Sequence, residues 1–157
     1  TESILHRLEQ AEEAKQGKVL SADQRGRVVD VYSRKSLSGG RVLWVDDVPS
    51  SITYEREAFE LAGVSTVWIG DTEGALGLLE GNKFDVISDM GRPESERAGY
   101  ELLESVLRRG DAAPFVIYSS SRSPEHIEEA TSRGCLVATN DPVELFEVVM
   151  EEILKAY

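Results

Sequence analysis

The sequence predicts an α/β fold: a doubly wound parallel sheet of five strands with helices on both faces, preceded by a helical hairpin. Three observations carry this. From Arg41 onward, short apolar runs of strand type alternate five times with amphipathic helical segments. Four of the five helices run into a glycine, at Ala62-Gly63, Glu80-Gly81, Arg109-Gly110 and Arg133-Gly134, the residue that most readily ends a helix. Two runs, Arg41-Val-Leu-Trp-Val and Phe84-Asp-Val-Ile-Ser, are apolar enough to be buried on both faces, and both end in acid.

Taken in order, residues 2–16 have helical spacing, with Ile4, Leu5, Leu8 and Ala11 on one stripe that Ala14 or the Lys15 stem extends. Gly17 breaks it. Ser21 is an N-cap with Gln24 as its capping-box partner, and the helix that follows runs to about Leu37, with Val28, Val31 or Val29, Tyr32 and Lys35 on one side. The narrow stripe of this hairpin must cover something: the main domain, a helical bundle that forms a dimer, or the end of a signalling coiled coil. Ser38-Gly-Gly40 reads as a joint, dividing the chain into a hairpin at 1–38 and a main domain at 41–157.

Within the main domain, strands are expected at about 41–46, 64–69, 84–88, 114–119 and 135–138. Helices are expected at about 50–62, 72–80, 98–109, 124–133 and 142–156. Ser123-Pro124 and Asp141-Pro-Val-Glu144 are helix starts, the second with Glu144 completing a capping box. The last helix carries Phe146, Val149 or Met150, Ile153 and Tyr157 on one stripe, long enough to leave part of it as a partner or dimer surface. Trp44, Trp68 and Tyr118 are expected in the core, and Tyr100 under the loop that precedes it. His6 has no assigned role.

At 157 residues, with 41% hydrophobic and 29% charged residues, the chain can bury a full core. Its net charge of −12 is uneven: residues 1–40 hold seven Lys/Arg against six Asp/Glu, and the rest hold ten against twenty-three. So acidic a domain does not grip nucleic acid directly. Cys135 is the single cysteine, which excludes an internal disulfide and fits a reducing, cytoplasmic setting; it reads as a small buried hydrophobe. No apolar run approaches membrane-span length and no signal peptide opens the sequence, which begins at Thr1 and is compatible with a portion of something longer.

In a parallel sheet, function gathers at the carboxyl ends of the strands. If the strands ending in Asp46-Asp47 and Asp89 are neighbours, three carboxylates meet there and repel one another unless a cation lies among them. Hard oxygen ligands in that number suit Mg²⁺. Read singly, each acid is equally well a cap or a solvated strand end.

Asp46-Asp47 after the first strand, Asp89 after the third, Pro93 four residues later and Ser119 at the end of the fourth together resemble a response-regulator receiver (CheY-like) domain over residues 41–156. The resemblance implies strand order 2-1-3-4-5. It implies Asp89 as phosphoacceptor, Asp46, Asp47 and the backbone carbonyl of Gly91 as further Mg²⁺ ligands, and Ser119 as the hydroxyl that bonds the phosphoryl group. It also implies a histidine kinase or phosphotransfer protein as donor, a protein partner as output, and no enzyme activity of its own. The output then lies in another chain, in a portion outside this sequence, or in the N-terminal helices.

The chain departs from the pattern at strand five. The expected lysine is missing: Asp141 stands in its place, or the loop is shortened and Asp141 caps the last helix, which accounts for both Asp141 and Glu144. Past Lys83 the next lysine is Lys155, so none is expected near the site. The aromatic switch residue is missing too, as Cys135-Leu-Val-Ala138 has no ring. The loop after Asp89 is about two residues longer than usual and carries Arg92 and Arg97, and Arg122 follows Ser119-Ser-Ser121. One of these arginines can replace the lysine, although each alone is more simply a solvated surface residue. The expected function is therefore a phosphorylatable receiver, with a pseudo-receiver that acts as an interaction or dimerisation module as the alternative. An aspartyl phosphohydrolase lacks its Asp-x-Asp pair here, and a flavodoxin-like cofactor binder lacks its phosphate loop.

Overall fold

The structure is a computed structural model that describes residues 1–34, 40–110, 113–120 and 123–155. The expected joint at Ser38-Gly39, the end of the second helix at Leu37, and Arg122 and Tyr157 lie outside the described residues. Two helices, α1 (Glu2–Gln16) and α2 (Ala22–Ser33), come first. Five strands follow: β1 (Arg41–Val45), β2 (Ser65–Ile69), β3 (Asp85–Ser88), β4 (Phe115–Tyr118) and β5 (Val137–Thr139). Between and after them run α3 (Thr53–Leu61), entered through a 3-10 turn at Pro49–Ile52, then α4 (Thr72–Leu79), α5 (Ala98–Arg108), α6 (Pro124–Ser132) and α7 (Pro142–Lys155). All strand pairs are parallel and their order is β2-β1-β3-β4-β5, as expected.

Period-two alternation divides the core. Val42, Trp44, Ile87, Val116 and Tyr118 face α3 and α7, whereas Leu43, Val45, Val86, Phe115 and Ile117 face α4, α5 and α6. Trp44 stands edge-on to both Phe59 and Tyr118, and Phe59 continues to Phe146 at 5.2 Å between centroids. Trp68, expected in the core, lies instead on the edge strand β2 and is 38% exposed. Its indole N–H is satisfied there by the backbone carbonyl of Asp46, at 2.7 Å.

The hairpin forms a further layer. α1 packs along α3 and α7, and α2 against α7. Ile4, Leu5, Leu8, Val28 and Val31 are all buried in the same cluster as Trp44, Phe59 and Phe146. At about 1.5–3 kcal/mol for each large apolar side chain taken from water, this burial outweighs the surface pairs Arg27–Glu147 and Arg34–Glu151, which contribute about 1 kcal/mol or less each. The apolar stripe of the hairpin is thus turned onto the main domain.

Helix ends follow the expected chemistry with two refinements. Ser21 and Gln24 form the full capping box. Asp141 Oδ1 accepts from the amides of Val143 and Glu144, so Asp141 is the cap of α7. The return half of that box comes from Thr139 Oγ1, which accepts from the Asp141 amide, and not from Glu144. Ser123 occupies the N-cap position of α6 without a side-chain cap bond. Among the described residues, no helix is long and apolar enough to cross a membrane.

Candidate functional site

Strand register brings the acids together. Val45 of β1 is opposite Ser88 of β3, and the Asp89 amide donates to Val45 O at 2.9 Å, so Asp46 and Asp89 leave the sheet side by side. Each of Asp46, Asp47 and Asp89 offers an oxygen, and these atoms all lie within 4.8 Å of one another. Asp46 and Asp89 are buried and Asp47 is exposed. A cavity of about 840 Å³ opens over them, and Gly91 and Ser119 line it too. The five residues expected at the site therefore border one space.

Local bonds hold the acids still. Asp46 Oδ1 accepts from the Val48 amide at 2.8 Å, and Asp89 Oδ2 accepts from the Asp47 amide at 3.3 Å. Gly99, at the start of α5, packs on the Asp89 carbonyl so closely that a Cβ there would overlap it, and its amide donates to Met90 O at 2.8 Å. Burial pushes the Asp89 carboxyl up to about 7, with Asp46 adding to the rise and Arg92 opposing it. Burial also raises Asp46, with the Asp47 charge adding to that; the Val48 amide and the charges of Lys15 and Arg92 act against it. Two buried carboxyls held above their ordinary range are a donor set that a hard divalent cation would relieve, and the residues present fit Mg²⁺.

Of the two candidate arginines among the described residues, Arg92 is the one at the acids. The longer loop folds as a tight turn, with Arg92 and Ser95 exchanging backbone hydrogen bonds around Pro93-Glu94. That turn aims Arg92 inward, where its side chain is fully buried. Its Nη1 donates to Asp89 Oδ1 at 2.5 Å and to Ser88 Oγ, and its Nη2 to Thr72 Oγ1 and Ala98 O. Glu94 adds a second carboxylate beside Nε at 3.4 Å. The simpler expectation, a solvated surface arginine, is corrected for Arg92. Arg97 does lie at the surface, paired with Glu129 and stacked with Arg133 on Tyr100. Tyr100 is buried as expected, and burial holds the Cys135 thiol up at about 12, which suits an inert core residue.

A second cation went unseen in the sequence. Lys15, at the end of α1, borders the same cavity as the acids. Its Nζ donates to Ser51 O and pairs with Glu55 Oε2 at 3.0 Å. Glu55 is buried and also accepts from the Tyr118 hydroxyl at 2.7 Å. The expectation that no lysine lies near the site is thus corrected. The signal was the helical register of α1, but the acids begin thirty-one residues later and nothing in the spacing shows where the hairpin lands.

No family model matches the sequence, and no curated protein sequence matches it. Solved structures do. The Francisella response regulator 1452 receiver domain superposes with a TM-score of 0.65 at 22% identity, covering 75% of this chain and 98% of that one. The fold is that of a response-regulator receiver domain. The non-phosphorylated HemR receiver domain of Leptospira biflexa gives a TM-score of 0.62 at 20% identity, covering 74% of this chain and 94% of that one. Chemotaxis response regulator CheY4 of Vibrio cholerae gives 0.59 at 22%, covering 76% and 98%. Each receiver is matched almost end to end, while about a quarter of this chain has no counterpart in it.

Proposed function

We propose that this receiver fold is a phosphoacceptor switch, phosphorylated at Asp89 with the help of Mg²⁺. The observation that carries the reading is the convergence of the Asp46, Asp47 and Asp89 oxygens beside Ser119 at one mouth of the sheet. The phosphoryl donor is a phosphohistidine on a kinase or phosphotransfer protein, or a small acyl phosphate. An Asp89 carboxylate oxygen attacks phosphorus. The new O–P bond forms as the donor's P–N or P–O bond breaks, and that electron pair leaves with the imidazole, which takes up a proton, or with the released carboxylate.

Asp46, Asp47, Asp89 and the Gly91 carbonyl would hold Mg²⁺, whose chemistry is to neutralise charge on the acids and the incoming phosphoryl oxygens. Arg92 keeps Asp89 oriented beforehand, then moves its Nη1 from the carboxylate to a phosphoryl oxygen, a stronger charge-assisted acceptor. Ser119 donates its hydroxyl to another phosphoryl oxygen. The added dianion changes which surfaces a protein partner meets, the usual logic of such switches. The setting is the cytoplasm, where such donors act, and the chain signals without turning over a substrate.

One observation favours the second reading, a pseudo-receiver. Arg92 already neutralises Asp89, so the acid needs no metal to be tolerated in its place. Intact-mass analysis after acetyl phosphate and Mg²⁺ treatment separates the two. A single phosphoryl adduct that Asp89→Asn abolishes supports the switch. An unmodified chain that also shows no response to Mg²⁺ supports the pseudo-receiver.

A further inference from the structure

The receiver-like part of the chain lacks the strand-five lysine, yet an ammonium group does reach the cavity, from outside that part. α1 ends at the cavity that holds the acids: Lys15 and Gln16, its last two residues, both border it. Gln16 Nε2 donates to Asn140 O at 3.2 Å, in the loop between β5 and α7. The last turn of α1 is thus tied to one side of the cavity through Gln16 and to the other through Lys15, by way of Ser51 O and Glu55.

We propose that Lys15 of the N-terminal hairpin is a phosphoryl-binding residue that replaces the missing strand-five lysine, so that the hairpin is part of the receiver's active site. The inference rests on the phosphoacceptor reading above.

The geometry gives Lys15 two competing anions. At rest its Nζ pairs with Glu55, a buried carboxylate that also holds the Tyr118 hydroxyl. Tyr118 is the residue before Ser119, and the Lys15 ammonium lies 5.4 Å from its ring centroid. The side chain is 26% exposed and already borders the cavity from the docked α1. A phosphoryl dianion on Asp89 adds a second, doubly charged anion to the field at that ammonium. Glu55 keeps the Tyr118 hydroxyl when Lys15 turns away, and the phosphoryl contact must exceed the cost of the buried charge left there. Anion binding and hairpin docking then strengthen each other, a coupling that is reciprocal by linkage. Arg92, fully buried, is paired with Asp89 Oδ1, and Lys15 borders the open cavity.

The test uses the full chain with MgCl₂ and beryllofluoride, a phosphoryl mimic. Lys15 is a cation, so its removal has opposite effects on the two ligands. In Lys15→Met, Mg²⁺ alone binds as well as in the wild type or up to severalfold tighter, while beryllofluoride in saturating Mg²⁺ binds at least tenfold more weakly. Lys15→Arg recovers most of that loss. Hydrogen exchange in the last two turns of α1 slows with Mg²⁺ and beryllofluoride in the wild type and not in Lys15→Met. Equal beryllofluoride affinity in the wild type and Lys15→Met overturns the proposal and leaves the phosphoacceptor reading intact. Parallel losses of Mg²⁺ and beryllofluoride affinity overturn it as well, as they mark a structural role. A wild type that binds neither ligand overturns both readings.

Discussion

The fully buried Arg92 guanidinium sits on the Asp89 carboxylate, three residues back along the chain, with Nη1 2.5 Å from Oδ1. A buried ion pair of this kind adds little net stability over an apolar substitute, yet losing one partner leaves a bare charge in the interior. The pair therefore governs both how well the fold tolerates Asp89 and how readily that acid can be modified.

Arg92→Met should cost about 3–5 kcal/mol in urea denaturation at pH 8, since Asp89 is then buried without a counter-ion. Asp89→Asn should cost less, because Arg92 keeps Ser88, Thr72, Ala98 O and Glu94. The double variant should fall well short of the sum. A loss below about 1 kcal/mol for Arg92→Met would place the pair among exposed bridges.

Mg²⁺ affinity should rise with pH. The Asp89 carboxyl is lifted from 3.8 to about 7 in the folded chain, so the folded state holds that proton more tightly than the unfolded one. The stability this supplies is full below about pH 4 and is lost as pH climbs through 7. Mg²⁺ competes with the same proton, so its affinity should increase up to about tenfold per pH unit below 7 and level off above it. Trp68, bonded to the Asp46 carbonyl, is a built-in fluorescence reporter for the titration. Asp47→Ala should remove the response, and an Mg²⁺ affinity unchanged in Asp89→Asn at pH 8 would contradict the assignment of Asp89 as a ligand.

Gly99→Ala should damage the site from below. The added methyl has no room beside the Asp89 carbonyl, and forced overpacking costs about 1–3 kcal/mol. Thermal unfolding measures that cost. Mg²⁺ titration should show weaker binding, because relief requires the backbone at Asp89 to move.

Asp141→Lys puts a lysine where the sequence pattern lacks one, and it should not improve phosphorylation. Asp141 Oδ1 caps α7 through the Val143 and Glu144 amides, so losing it costs about 1 kcal/mol. The midpoint of thermal unfolding should fall by about 2–4 °C. A gain in acetyl phosphate labelling would show that this loop can still deliver a cation.

The parts of the site legible in the sequence were those fixed by strand periodicity. Asp46, Asp47 and Asp89 stand at the ends of apolar runs, and parallel pairing leaves them one edge to occupy. Asp141 was readable as a cap because Asp-Pro-x-Glu is a local signal. Arg92 was only one of three candidates, because which arginine turns inward depends on the bonds between Arg92 and Ser95 across the turn, which composition does not reveal. Trp68 resembled a core residue because a strand pattern does not say which strand is at the edge. Lys15 was out of reach for a different reason: docking a helix across the sheet's end is a tertiary event with no local signature.

The shared core of the hairpin and the α3–α7 layer restricts what any second protein can touch. With Ile4, Leu5, Leu8, Val28 and Val31 lying over Phe59 and Phe146, that flank of the molecule is roofed from within. A second protein reaches the apolar faces of α3 and α7 under that roof only by evicting it and exposing oil to water. A chain trimmed at residue 40 would carry that bare flank permanently and should clump rather than serve as a cleaner version of the whole.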